Sequence, residues 1–325
     1  MTSSSPHHPD LLAADAGDDD LQEDLAPVCV MSFNASDPSG SAGLSADQGA
    51  IASMLMHALP VVTSVLMRDT AEVFDQHALD ADAVAEQART VLEDIAISGW
   101  KVGFLGSAEA VSAVAEILSD YPDVPLVSYL PNLGWMDDDE AQNYLEAFRD
   151  LILPATEVLV GNHKTLTDFL LPEWDGDRPP SERDLAVAAG ERGTRYVLVT
   201  GNMATGKEGQ QVIDNVLASP QGKIFNKDFD LIEHACVGAG DTLSAALASL
   251  LAAGHELHEA VVEALSYMDH TLAYGFQPGM GGWVPDRYFW ALPPTDEDGM
   301  PLEEGMDADA EVIEPPNKGA PRRVH

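Results

Sequence analysis

Short Val- and Leu-rich runs alternate along this chain with stretches of helical spacing, and that order limits the fold more than any other feature. The runs fall at residues 28–33, 61–67, 100–105, 126–130, 157–160 and 196–200. They show little apolar–polar alternation, as expected of strands covered on both faces. Helical patterns lie at residues 81–94, 108–121, 141–153 and 181–192. A strand–helix–strand order of this kind predicts a mostly parallel sheet with helices on both sides, an α/β fold. Beyond Thr200 the pattern changes. Residues 211–218 and 223–230 read as antiparallel strands joined by the turn Ser219-Pro220-Gln221-Gly222. A glycine turn with a helix follows, and then a last helix over residues 258–274. Ligands of such sheets bind beyond the C-terminal ends of the strands.

The 325 residues, 45% hydrophobic, suffice for one large domain with a full core or for two small ones. Residues 1–26 and 291–325 are acidic and polar and read as disordered tails. They leave a folded domain over residues 27–290. Net charge is −39, from 16 basic and 55 acidic residues. Nucleic acid and anionic membranes are therefore poor partners, since both require positive charge. A phosphorylated substrate would meet the same field, so its site must supply local donors. The two cysteines, Cys29 and Cys236, make no disulfide framework. Cys29 sits in an apolar run and reads as a core residue. Neither a signal peptide nor a membrane-spanning run is evident, which points to a cytoplasmic protein.

Two segments carry candidate chemistry. In Val237-Gly238-Ala239-Gly240-Asp241-Thr242 a turn of small residues runs into an alanine-rich helix. Backbone amides at a helix start lack partners and carry the positive end of the helix dipole. Small residues let an anion come close to them. Asp241 at the mouth would repel a resting anion, but it suits a base acting on a group that approaches one. A helix capped by aspartate after a glycine turn explains the same residues. The second segment, Asn34-Ala35-Ser36-Asp37-Pro38-Ser39-Gly40-Ser41-Ala42-Gly43, is a small-residue loop after the first strand. It opens a helix that carries Asp47 in its first turns, where a carboxylate can meet a polar ring or hydroxyl. A plain turn and helix start is the other reading. His234 and Cys236, just before the glycine turn, are further candidates for a pocket wall.

Ser36-Asp37-Pro38-Ser39-Gly40-Ser41-Ala42-Gly43 with Ala46-Asp47 resembles the opening signature of the hydroxymethylpyrimidine/phosphomethylpyrimidine kinases of thiamine biosynthesis. The resemblance continues through Lys101-Val102-Gly103-Phe104-Leu105-Gly106, the Gly238-Ala239-Gly240-Asp241 turn with its helix, and Gly279-Met280-Gly281-Gly282. It implies a ribokinase-like three-layer α/β/α domain. It also implies transfer of the γ-phosphate of ATP, with Mg2+, to the hydroxymethyl group of a small heteroaromatic alcohol, and then a second phosphorylation. By the same resemblance Asp241 is the base, and the amides of Gly238, Ala239 and Gly240 form the anion hole. Ala35, Asp47, Arg68 and Phe104 bind the acceptor, Asn162 and Thr200 lie on the ATP side, and a homodimer is expected.

Several positions depart from the family pattern. Arg68 stands where the family has glutamine, and Asp241 where its thiamine branch usually has cysteine. Tyr129-Leu130-Pro131-Asn132 replaces an aspartate-proline-valine-methionine loop. Asn162-His163-Lys164-Thr165 lacks the family's glutamate, and Thr200-Gly201-Asn202-Met203 lacks its lysine. Lys164 or Lys207 could supply the missing charge. A pseudokinase that kept the pocket, and a pyridoxal-type kinase, are the alternative readings.

Overall fold

The computed structural model describes residues 27–207 and 209–291. The expected tails lie outside these residues, apart from Ala291. The first compact unit ends at Arg287. Of the second, residues 288–291 are described, with a 3₁₀ turn at Phe289–Ala291.

Nine strands form one sheet: β1 (Cys29–Ser36), β2 (His57–Arg68), β3 (Val73–Ala78), β4 (Gly99–Val102), β5 (Leu126–Tyr129), β6 (Val158–Asn162), β7 (Tyr196–Thr205), β8 (Gln211–Ser219) and β9 (Gly222–Asp230). Their order is β3-β2-β1-β4-β5-β6-β7-β8-β9. From β2 to β7 every neighbouring pair is parallel. At one edge β3 pairs antiparallel with β2, and at the other β8 and β9 extend the sheet antiparallel from β7. The helices are α1 (Gly43–Ser53), α2 (Ala81–Leu92), α3 (Ala108–Ser119), α4 (Asp138–Ala147), α5 (His163–Leu170), α6 (Glu182–Gly190), α7 (Ala239–Ala252) and α8 (Leu257–Ala273).

The six parallel strands and the antiparallel pair match the sequence expectation to within a few residues. Edge strand β3 and the short helix α5 were not anticipated. Helix α4 differs as well: it starts at Asp138, capped by the Asp137 side chain, with Asp138, Asp139 and Glu140 in its first turn. Those carboxylates complement the positive end of the helix dipole, so a polar stretch that resembles a loop is a favourable helix start. The regular helix ends at Ala147 and runs into a π-turn (Phe148–Ile152) ahead of Pro154.

Alternation along the strands sorts their side chains between two layers. Met31 and Phe33 of β1 and Trp100 and Val102 of β4 join a core with Val84 of α2, Val111 of α3 and Leu185 of α6. The intervening residues face the other layer, in which α1, α7 and α8 pack together. Helix α7 lies close over β4: a Cβ on Gly99 would come within 2.7 Å of the Ala252 Cβ. The alternation leaves Ser32, Asn34 and Lys101 under α1 and α7. Ser32 and Lys101 are direct neighbours in the parallel register.

Candidate active site

Lys101 is a charged residue in a strand covered on both faces, and it is fully buried. A buried ammonium needs opposite charge and hydrogen-bond acceptors to be tolerated. Helices α1 and α7 bring both. The Lys101 Nζ donates to Asp241 Oδ1 (2.7 Å) and to Asp47 Oδ2 (3.0 Å), and Asp47 Oδ1 lies 2.8 Å away. Asn34 Nδ2 bridges the same carboxylates, donating to Asp47 Oδ2 (2.9 Å) and Asp241 Oδ1 (2.8 Å). Ser32 Oγ donates to Asp47 (2.6 Å). The Asn34 carbonyl accepts the Phe104 amide (3.0 Å), which fixes the carboxamide orientation. Gly103 has to lack a side chain, since a Cβ there would meet the Asn34 carboxamide at 2.6 Å.

The two aspartates respond differently. Burial pushes Asp47 up to about 6, against the pull of Lys101, and the charge of Asp241 adds to the rise. Burial also acts on Asp241. There the Lys101 charge and hydrogen bond, the Gly43 amide and Asn34 outweigh it and hold the carboxyl below its ordinary value. Lys101 is held above its usual value, because the two carboxylates more than offset the cost of burying the ammonium. Both carboxyls are therefore mainly ionised at neutral pH, and Asp47 is the one that takes up a proton first as pH falls.

Glycines let the two loops over this cluster close together. Gly238 caps α7 at φ +82°, and a Cβ on it would collide with the Ser41 carbonyl. Gly43, at φ +59°, similarly leaves room for the Ala35 carbonyl and donates its amide to Asp241 Oδ2 (3.0 Å). The Arg287 guanidinium ties the loops from below. It donates to Gly40 O (3.3 Å), Ser41 O (2.5 Å) and Thr242 Oγ1 (2.9 Å). The first backbone bond inside α7 runs from the Thr242 amide to the Gly238 carbonyl (3.0 Å). The amides of Ala239, Gly240 and Asp241 precede it and have no carbonyl one turn back, so they are available to an anion.

Two cavities flank this turn. The first, about 190 Å³, is lined by Asn34, Ala35, Arg68, Phe104, Gly238 and Asp241 among others. The second, about 270 Å³, has an apolar wall including Ile213, Phe229, Leu243 and Met268, and reaches Ala239 and Gly240. Asp241 thus opens onto one cavity, while the turn beside it borders the other. A carboxylate has about four acceptor positions. Asn34 and Lys101 fill both at Oδ1 and Gly43 takes one at Oδ2, which leaves one Oδ2 position for a ligand hydroxyl.

The expected site residues divide as follows. Asp241, Gly238, Ala35, Arg68 and Phe104 line the first cavity, and Ala239, Gly240 and Thr200 the second. Asp47 does not reach either: it is fully buried, and its carboxylate is turned onto Lys101, Ser32 and Asn34. It lies beneath the site and lines neither cavity. Asn162 ends β6 beside Thr200 of β7. Its side chain caps α5 by accepting the Thr165 amide (2.9 Å), and it lines neither cavity. Lys164 pairs with Asp168 at the surface (2.6 Å), and Lys207 is exposed in the β7–β8 turn. Neither supplies charge to the turn.

Arg68 is nearly buried. Its Nε donates to the Asp69 carbonyl (2.9 Å), and Asp37 lies 3.5 Å from Nη1, an ion-pair distance and not a hydrogen bond. Asp37 is otherwise occupied by Ser39 and the Ala42 amide. Terminal Arg68 donors are thus left for the first cavity. His234 and Cys236 do line the second cavity, and His234 stacks on Trp283 with ring centroids 4.1 Å apart. Sequence reasoning missed Lys101, Arg287 and Asn34 as site residues. A lysine inside an apolar strand run was the available signal for the first; nothing local marks Arg287.

A mostly parallel sheet layered between helices, with a glycine turn and a buried Asp–Lys–Asp cluster at its C-terminal edge, defines a ribokinase-like α/β protein. The pyridoxal kinase of Bacillus subtilis, solved as an ADP complex, shares the fold with a TM-score of 0.72 at 19% identity, over 82% of this chain and all of that one. A phosphomethylpyrimidine kinase from Clostridium difficile does so with a TM-score of 0.58 at 23% identity, over 74% of this chain and 99% of that one. The chain belongs to the phosphomethylpyrimidine kinase family, whose model matches residues 37–285. A hydroxymethylpyrimidine/phosphomethylpyrimidine kinase of Streptomyces coelicolor is 30% identical over 271 residues, covering 82% of this chain and 97% of that protein.

The Asp47 carboxyl gives a pH signature. Unfolded, an aspartate titrates near 3.9; folded, Asp47 titrates at about 6. Between these values the folded protein binds the extra proton, so this group's contribution to stability falls as pH rises through about 6. Asp47→Asn keeps the shape and removes the titration. The melting temperature of the wild type relative to Asp47→Asn should rise as pH falls from 7.5 to 5, by differential scanning fluorimetry. A difference that stays constant over that range would contradict this account.

Proposed function

We propose that this protein transfers the γ-phosphate of ATP to the hydroxymethyl group of hydroxymethylpyrimidine, and then phosphorylates the monophosphate, in thiamine biosynthesis. The observation that carries the reading is the free acceptor position on Asp241. It faces one cavity beside unpartnered α7 amides that border a second, mainly apolar one. The acceptor alcohol would occupy the first cavity, with its ring against Ala35 and Phe104 and its acceptor atoms toward Arg68. The nucleotide would occupy the second, with Thr200 in its wall. The curated relatives named for this activity, matched along nearly their full length, support the same reading.

In this reaction the hydroxyl oxygen attacks the γ-phosphorus, its proton passes to Asp241 Oδ2, and ADP leaves. A carboxylate held well below its ordinary value is a weak base. It suffices where the transition state is loose, because the proton need leave only as the new O–P bond forms and acidifies the hydroxyl. Lys101 and Asn34 then serve to aim the carboxylate. The amides of Ala239, Gly240 and Asp241, one residue on from the set the resemblance implied, would stabilise charge on the phosphoryl oxygens.

Magnesium is proposed to arrive with the nucleotide. Among the described residues no group of three or more His, Cys, Asp or Glu side chains could hold an ion, and Asp47 and Asp241 are engaged by Lys101. The described residues thus offer no protein cage for magnesium. No helix among the described residues is long and apolar enough to cross a membrane; a cytoplasmic location is proposed. The exposed apolar residues Val65, Met67 and Phe74 on β2 and β3 support a homodimer. Light scattering should then give twice the chain mass, and Phe74→Asp should lower it to one; a wild-type monomer would remove this part of the proposal.

A coupled ADP-release assay tests the reaction itself. Turnover is expected with hydroxymethylpyrimidine and with its monophosphate. Asp241→Asn, which cannot take the proton, should lower kcat on the order of 10²-fold or more. Turnover equal to wild type in that variant would remove Asp241 as base, and a wild type inactive on both compounds would remove the activity.

A further inference from the structure

Tyr129 ends β5, and strand alternation sends its side chain to the α7 layer. Ser128, its neighbour, goes the other way and hydrogen-bonds Thr156 (2.8 Å). The phenol lies against Gly240. A Cβ at that glycine would collide with Tyr129 Cζ, Cε2 and the hydroxyl oxygen. Tyr129 lines the first cavity and Gly240 the second, so the hydroxyl stands where the two meet, at the amide end of α7. The Lys101 Nζ lies over the ring, 5.8 Å from its centroid.

Packing does not explain the hydroxyl. A phenylalanine would fill the same space, and no described residue exchanges a hydrogen bond with this oxygen. Burial, together with the negative charges of Asp241 and Asp47, raises the phenol well above its ordinary pKa. It therefore remains a protonated donor. In a chain of net charge −39, with two carboxylates already balanced against one ammonium, a neutral donor can meet an anion without adding a charge that the cluster must compensate.

We propose that the Tyr129 hydroxyl donates a hydrogen bond to the phosphoryl group as it passes from nucleotide to acceptor, closing the side of the cradle that the α7 amides leave open. This inference rests on the phosphoryl-transfer reading. Tyr129 keeps its proton throughout, and the proton of the acceptor hydroxyl goes to Asp241. The interaction strengthens as charge develops on the phosphoryl oxygens, so it acts on kcat more than on either KM.

Tyr129→Phe isolates the hydroxyl. Its kcat should fall on the order of 10²-fold, the loss typical of one missing oxyanion donor, with both KM values and the melting temperature close to wild type. Wild-type kcat in this variant would overturn the proposal, and so would a rise in kcat in Tyr129→Ala, which would make the ring an obstruction. Orthovanadate binding, read as protection against thermal unfolding, reports the same hydroxyl without turnover. Protection should be present in wild type and reduced in Tyr129→Phe; equal protection, or none in wild type, would overturn the proposal. An inactive wild type whose vanadate protection depends on Tyr129 would instead remove the activity and keep the donor.

Discussion

The Lys101 ammonium lies at the centre of a buried cluster, 2.7 Å from Asp241 and 2.8 Å from Asp47. Enclosing such charges is costly, and an apolar trio of similar size could serve stability as well. What the cluster supplies is placement. It fixes α1 and α7 over the same point of β4 and holds the Asp241 carboxylate in one orientation, with a single acceptor position left toward the cavity. Removing the lysine would leave two carboxylates facing each other without compensation, so each member of the cluster depends on the other two.

The surrounding loops follow from that placement. With both helices seated on Lys101, their N-terminal turns come close enough for the Gly43 amide to reach Asp241 (3.0 Å) and for Arg287 to bond both loops. Backbone atoms meet where Gly43 and Gly238 lie, and a side chain at either would collide with a carbonyl. The amides of α7 are left facing outward between two cavities. A base, an anion cradle and two binding spaces thus arise from one buried ion cluster and a few glycines.

The fold was legible because strands covered on both faces are nearly continuous apolar runs, and the turn of residues 219–222 marked the antiparallel pair. Edge strand β3 was not, since Phe74, Asp75 and His77 are exposed and the strand presents little of the pattern of a buried one. Helix α5 has eight residues, too few for a clear period. At the site, small-residue motifs revealed the turn, Asp241, Ala35 and Phe104, because close backbone approach restricts residue choice locally. Asp47 is visible from its position in the first turns of α1, but what it does there is not. Only the β1–β4 register reveals that a lysine lies beneath it, to which it is the counter-ion. Arg287 bonds residues more than 240 positions away, and no local pattern encodes such a contact.

Side-chain carboxyl titration by carbon-13 NMR, assigned with Asp47→Asn and Asp241→Asn, tests the cluster most directly. Asp47 should titrate at about 6, and Asp241 should remain ionised to below the ordinary aspartate value, with Lys101 protonated throughout. Two aspartates that both titrate near their ordinary value would contradict a buried cluster organised by Lys101.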